Sequence, residues 1–307
     1  MKETINGIFG FLSALFIYTA AIVPALAVEP KCPGSSNPDP AVIWCDDFDN
    51  SVSMNQKYFD YDNGGGEFLP VAGTGIDGST GMQVIWQTGE DNAGNFKRTF
   101  GRSPVNSQSH SNQDFPEIYW REYIKMQQGW TGNPYKLSRA TIFSASNWAQ
   151  AMIAHVWGDG AGDSLVIDPA TGVNSSGNVV TTSYNDFAHL QWLGLRRGTT
   201  PIFSSQGSGK WYCIEARVNL NTPGASDGIF ELWIDDRPEA SRTNLNWVGT
   251  WQGYGINAIA FENYWNGGAP GPRIRHLDNI VISTKRIGCL SPSDIIPPSP
   301  PTGLRVQ

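Results

Sequence analysis

The sequence predicts an all-β protein built as a two-sheet antiparallel sandwich, and three observations lead there. The first is a hairpin pattern at residues 209–236. Tyr212, Ile214, Ala216, Val218 and Leu220 alternate with Trp211, Cys213, Glu215, Arg217 and Asn219, and Phe230, Leu232 and Ile234 alternate with Ile229, Glu231, Trp233 and Asp235. A period of two sends each set to its own face of a strand. Between the two runs, Asn221, Pro223, Gly224, Asp227 and Gly228 supply a turn-rich connection. The second observation is composition: 34 Gly, 20 Pro and only 16% charged residues in 307 describe short strands joined by many turns, and no long amphipathic period stands out. The third is spacing, because strand-like runs recur along the chain with Gly- and Asn-rich turns between them. That is the pattern of a sandwich rather than of a parallel α/β sheet.

Taken in order, residues 41–48 (AVIWCDDF) open the domain, and residues 82–86 alternate. In residues 119–126, Tyr119, Arg121, Tyr123 and Lys125 share one face. Further strands are expected at residues 140–143, 149–157, 190–197, 256–262 and 275–283. One domain over residues 28–290 accommodates them, since large sandwiches reach this length. Ahead of it, residues 1–27 read as a signal peptide: an apolar run over residues 8–23 is followed by Ala25-Leu26-Ala27, a small-x-small cleavage pattern. An uncleaved membrane anchor is the alternative, because the run approaches spanning length and Lys2 is offset by Glu3. Cleavage gives a secreted protein, extracellular or periplasmic, with no membrane association afterwards and expected to be a monomer. Residues 291–307, containing IIPPSPPTG, read as a Pro-rich C-terminal linker.

The four cysteines, Cys32, Cys45, Cys213 and Cys289, are read as disulfides in an exported chain, with three pairings open. Cys32 with Cys45 would staple a short irregular loop, leaving Cys213 with Cys289. No Cys-x-x-Cys or His/Cys ligand spacing supports zinc, and no cofactor is expected. Asp46, Asp47, Asp49 and Asp278 fall on terminal strands where a structural calcium could sit, although carboxylates near a sheet edge are the plainer explanation. A net charge of −7 argues against nucleic acid, which requires a basic stripe along the phosphates.

A Trp-x-x-x-Glu strand at residues 211–215, an Asn-Thr-Pro-Gly turn at 221–224, an Asp-Gly at 227–228 and a Trp-Ile-Asp strand at 233–235 resemble the concanavalin A-like lectin/glucanase jelly rolls, and within them the polysaccharide-lyase-like members. The opening Asp-Asp-Phe-Asp at 46–49 and the closing Leu-Asp-Asn-Ile-Val-Ile-Ser at 277–283 resemble the first and last strands of that fold, so the resemblance spans residues 41–289. It implies a carbohydrate-active jelly roll whose partner is a polysaccharide. Hydrolases of this fold carry paired carboxylates on one strand. Here the Glu-x-Asp-x-x-Glu pattern is missing, and Glu117 and Glu122 in the nearest imitation have opposite parity. Glu231 and Asp235 share a face with Trp233, which a solvated surface explains equally well.

The lyase branch fits better. β-Elimination in a uronate polymer needs donors that neutralise the sugar carboxylate, a base for the adjacent proton and an acid for the leaving oxygen. Met-Ile-Ala-His-Val-Trp-Gly at residues 152–158 resembles the His-bearing strand of the heparinase-type and alginate-lyase-type families, which places His155 at the base position. With it, Arg121 and Tyr123 complete the candidate catalytic set, and Lys125, Tyr119, Trp157, Trp192 and Arg196 are the candidate substrate contacts. A third family element, Lys and Tyr flanking a Gly, would fall on residues 190–197. There the sequence reads LQWLGLRR, with Trp192 and Arg196 in those places.

That departure keeps a non-catalytic carbohydrate-binding or structural surface module open as the alternative. Plainer readings accompany each residue: a His between apolar neighbours is commonly a core histidine, and Arg121 with Lys125 is commonly a solvated strand face. Of the 12 tryptophans, Trp44, Trp86 and Trp211 are expected to pack, while Trp130, Trp157, Trp192 and Trp265 are the groove candidates. Lys125, Lys136, Arg139, Arg196 and Arg197 come from segments that could gather positive charge on one concave sheet.

Overall fold

The computed structural model describes residues 39–291. They form sixteen strands: β1 (Val42–Asp46), β2 (Asp60–Asp62), β3 (Phe68–Ala72), β4 (Thr80–Trp86), β5 (Asn92–Thr99), β6 (Glu117–Met126), β7 (Lys136–Phe143), β8 (Gln150–Trp157), β9 (Val166–Thr171), β10 (Gln191–Trp192), β11 (Arg196–Arg197), β12 (Trp211–Asn219), β13 (Gly228–Ile234), β14 (Arg237–Leu245), β15 (Ala258–Tyr264) and β16 (Arg273–Ser283). The first sheet runs β14, β13, β12, β6, β16, β4, β3, with β1 also on β16; the second runs β10, β9, β8, β7, β15, β5, β2, with β11 also on β9. All pairings are antiparallel. The chain is a two-sheet jelly-roll sandwich, as the strand patterning predicts.

The parity of the central hairpin holds. Tyr212, Ile214, Ala216 and Val218 of β12 and Phe230, Leu232 and Ile234 of β13 are buried, and the β12–β13 register sets Ala216 opposite Leu232. Trp120, Ile124 and Met126 of β6 join them from the first sheet, and Ala140, Ile142, Met152, Ala154, Val156, Ile259 and Phe261 from the second, in one continuous core. Trp130 and Trp265 belong to this core rather than to a groove. They pack with Trp86 at ring distances of 6.0 and 5.8 Å and with each other at 5.6 Å, and are almost fully covered.

Several strands carry no clear period and escape sequence reading. β5 contains Asn92, Gly94 and Asn95, β9 contains Asp168 and Pro169, and β14 is a polar edge strand whose exposed face has little to bury. The single strand expected at residues 190–197 is two short pieces, β10 and β11, divided near Gly194, whose φ of +93° suits glycine.

After β16 the chain crosses the outer face of the first sheet. The Glu215 carboxylate accepts the Ile287 and Gly288 amides at 2.7 and 3.0 Å, and Cys213 is disulfide-bonded to Cys289. The expected Cys32–Cys45 pairing, the signal peptide and most of the Pro-rich linker lie outside the described residues. The acidic cluster does not read as a calcium site: Asp46 is buried and engaged by Lys57 at 2.9 Å and Tyr58 at 3.0 Å. Among the described residues, no three His, Cys, Asp or Glu groups are placed to hold a metal.

Two stability outcomes follow from this packing. Leu232→Ala should cost about 2 to 5 kcal/mol in denaturant titration; a negligible shift of the midpoint would contradict the burial. Cys289→Ser opens a bridge between residues 76 apart and should cost about 4 kcal/mol or less in the chain-entropy account, read in the same titration.

Candidate functional site

The outer face of the second sheet gathers most of the chemistry. Alternation on β7 and β8 sends Ala140, Ile142, Met152, Ala154 and Val156 inward, so Arg139, Ile153, His155 and Trp157 project outward. The register then sets Arg139 beside His155, and His155 beside Asp168 of β9. From β15 and β5 the same face receives Glu262, Tyr264, Asn95 and Lys97.

Arg139 is fully buried at the centre. Its Nη2 donates to Glu262 Oε1 at 2.8 Å and to the Tyr184 hydroxyl, and its Nη1 donates to Asn185 Oδ1 at 2.6 Å and lies 3.4 Å from His155 Nε2. The Tyr184 hydroxyl in turn donates to Glu262 at 3.2 Å. Tyr184 and Asn185 arrive on the β9–β10 connection, which the strands hold in place. Asn185 has φ of +57°, a conformation that asparagine tolerates better than most residues. Its amide donates to Gln150 Oε1 at 2.8 Å, and Gln150 Nε2 donates to Thr141 at 3.0 Å. Lys136 Nζ stands 3.7 Å from Glu262, while Lys97 bonds Asp60 and Asn95.

Electrostatics follow from this crowding. Burial would push the Glu262 carboxyl up, but Arg139, Lys136 and Lys97 together hold it below the ordinary carboxylate range. Burial, then Arg139 and Lys136, hold His155 well below the usual histidine value, so it is neutral at physiological pH. Burial raises the Tyr184 hydroxyl, which keeps its proton. Burial also raises Asp168, to about 6, with Asp159 adding to the shift. A cleft of about 220 Å³ opens over this centre, walled by Asn92, Asn95, Lys136, Tyr184, Asn185 and Tyr264.

A row of rings continues from the polar centre. His155 stacks on Trp157 at 4.1 Å, Trp157 lies 5.7 Å from Trp192, and Phe187 lies 6.0 Å from Trp192, with interplanar angles of 18° to 26°. Trp192 and Phe187 are 40% and 39% exposed, a flat apolar surface beside hydrogen-bonding groups. Such an arrangement suits the C–H face of a sugar ring.

Of the expected site residues, the structure brings His155, Trp157 and Trp192 together on this face, with Arg139 beside His155. Arg121, Tyr123, Tyr119 and Lys125 do not join them. All four project from β6, on the outer face of the first sheet, across the sandwich from His155. Arg121 is fully buried beneath the C-terminal segment and donates to the Gly288 carbonyl at 3.0 Å, and the Tyr123 hydroxyl accepts the Leu290 amide. Lys125 lies over Trp211 at 4.9 Å, and Arg217 over Tyr119 at 5.6 Å. Arg196 is exposed on β11 and is not among the residues that contact Arg139. The expectation of one groove holding His155, Arg121, Tyr123 and Lys125 is thus corrected: they share a strand face, but the strand belongs to the other sheet. Nor do Lys125, Lys136, Arg139, Arg196 and Arg197 form one basic patch.

Sequence reading missed Tyr184, Asn185, Phe187, Glu262, Asn95 and Lys97. Glu262 was within reach, since the expected strand at 256–262 alternates it with Phe261. The others lie in β5 and in an Asn- and Thr-rich loop without periodicity.

Neither a protein-family model nor a curated protein matches the sequence. The fold is similar to that of an endo-β-1,4-glucuronan lyase from the fungus Trichoderma reesei, with a TM-score of 0.53, 12% identity and coverage of 80% of this chain and 96% of that one. It is similar also to that of a marine alginate lyase from Aplysia kurodai, with a TM-score of 0.51, 12% identity and coverage of 80% and 99%. The jelly-roll fold of this chain is therefore one shared with polysaccharide lyases.

The neutral state of His155 has a consequence for stability. Below about pH 6.5 the unfolded chain binds a proton at this residue and the folded chain does not, so stability falls on acidification through that range. In urea titrations from about pH 7.5 to 5, His155→Gln should flatten this part of the profile. An equally acid-sensitive variant would assign the loss to another group.

Proposed function

We propose that the chain is a secreted protein that binds a uronate-containing polysaccharide across the outer face of the second sheet and cleaves it by β-elimination. One observation carries this reading: Lys136, Tyr184 and Asn185 line a cleft over the buried Arg139, and a row of rings that begins at His155, beside Arg139, runs from this centre to the exposed Trp192 and Phe187. Trp192 and Phe187 would stack on sugar faces, with Trp157 beneath them. Lys136 and Asn185 would meet the sugar carboxylate and hydroxyls. In elimination the proton beside the carboxylate leaves to a base, its electron pair forms the ring double bond, and the leaving oxygen takes up a proton. Tyr184, held protonated, suits the donor role, and neutral His155 suits the base. The Cys213–Cys289 bridge accords with an oxidising compartment.

A binding function without turnover is favoured by two details of the same site. Glu262 already engages Arg139 at 2.8 Å, where a substrate carboxylate would otherwise compete. His155, at 1% exposure, lies beneath Trp157, away from the mouth of the cleft.

Absorbance of the unsaturated uronate product, followed over alginate, glucuronan, pectate and heparin-like substrates, decides between them. A lyase should produce signal on at least one, and Tyr184→Phe should abolish it while retaining affinity. Trp192→Ala should weaken binding roughly tenfold in affinity electrophoresis. Retention that depends on Trp192 without any product identifies a binding module. With neither product nor retention, the reading falls.

A further inference from the structure

A second cleft, of about 330 Å³, lies at the end of the sandwich, where the β9–β10 connection meets the loop after β14. Thr171, Asn174, Ser175, Gln191, Asn246 and Thr250 supply its polar groups, and none of the described residues lining it carries a charge. Gln191 and Trp192 are consecutive residues of β10, so they point to opposite faces of that strand. The cleft and the ring row therefore flank the same sheet edge from opposite sides.

Its walls are held rigidly. Asn174 Oδ1 accepts the Ser176 and Asn178 amides, both at 3.0 Å, and Asn246 Oδ1 accepts the Gly249 amide at 2.8 Å. Asn221 fixes the neighbouring turn through the Val248 amide at 2.9 Å and the Gly249 carbonyl at 3.1 Å, and the Gly224 amide bonds the same carbonyl at 2.9 Å. The two loops also touch: a Cβ on Gly177 would stand 2.4 Å from Thr250 Oγ1. Asn174 and Asn246 thus have their oxygens committed to the loop and their Nδ2 donors without a partner among the described residues. Gln191, Ser175 and Thr250 add further uncommitted amide and hydroxyl groups. Donors fixed in this way lose little freedom when a ligand binds.

The lining narrows the ligand class. Without carboxylates it offers a divalent cation little, without cationic side chains it offers an anion little, and its many polar groups do not suit an apolar molecule. What remains is a compact, uncharged molecule rich in hydroxyls, and the volume is at the small end of the range for ligand sites. We infer that this cleft is a second binding site, for an uncharged saccharide unit. It is separate from the outer-face groove and does not depend on that groove's function.

Calorimetric titration and saturation-transfer NMR of the full chain with cellohexaose, xylohexaose and mannohexaose test it. At least one should bind, and saturating alginate oligosaccharide should not displace it. Asn246→Asp keeps the oxygen that holds Gly249 and removes the donor, and Gln191→Ala removes an exposed side chain with no internal partner. Each should weaken binding roughly three- to tenfold with an unchanged melting temperature. Should Asn246→Asp lower the melting temperature, Gln191→Ala alone decides. Failure of all three oligosaccharides to bind, displacement by alginate, or wild-type affinity in Gln191→Ala would overturn the inference, whatever the outcome on uronates.

Discussion

Burial of the Arg139 guanidinium is the constraint around which the second sheet is organised. A cation removed from water is costly unless it is paired and hydrogen-bonded, and β7 has no carboxylate to offer. Its partners therefore come from elsewhere: Glu262 from β15, Tyr184 and Asn185 from the β9–β10 connection, and His155 from β8. Satisfying one charge fixes the sheet register locally and pins a long loop that has little apolar surface of its own. The cleft exists because that loop is held above the sheet.

The first sheet solves a similar problem differently. Arg121 and Glu215 also project outward from their strands, yet both are buried, because residues 285–291 lie across them. The Cys213–Cys289 bridge fastens that segment to the strand bearing Glu215. Groups on the two outer faces thus meet opposite fates. On one, Arg121 and Glu215 are sealed by the chain itself; on the other, Lys136 and Glu262 line an open cleft beside exposed rings.

These fates also explain how far the sequence can be read. Alternation identifies which residues share a strand face, and it succeeds for Tyr212 to Val218, for Phe230 to Ile234, and for Tyr119, Arg121, Tyr123 and Lys125. It says nothing about which sheet a strand joins. Sheet membership depends on long-range pairing, such as β6 between β12 and β16, and that pairing separates Arg121 from His155. Nor can alternation detect Tyr184 and Asn185, whose positions depend on Gln150 and Arg139 rather than on any period. Trp130 and Trp265 mislead for the opposite reason: polar or small sequence neighbours suggest exposure, while tertiary packing against Trp86 buries them.

Net charge is a poor guide to what the open face attracts. The chain carries −7 overall, but around the cleft Lys97, Lys136 and Arg139 are gathered, with Asp60 and Glu262 as their ion-pair partners. Lys97 is matched by Asp60, and Arg139 by Glu262 at 2.8 Å, whereas Lys136 only shares Glu262 at 3.7 Å. Burial, together with the neighbouring Arg139 and Lys97, disfavours its charged form, and an arriving carboxylate would relieve that. Attraction at short range follows the local arrangement of such groups rather than the net charge.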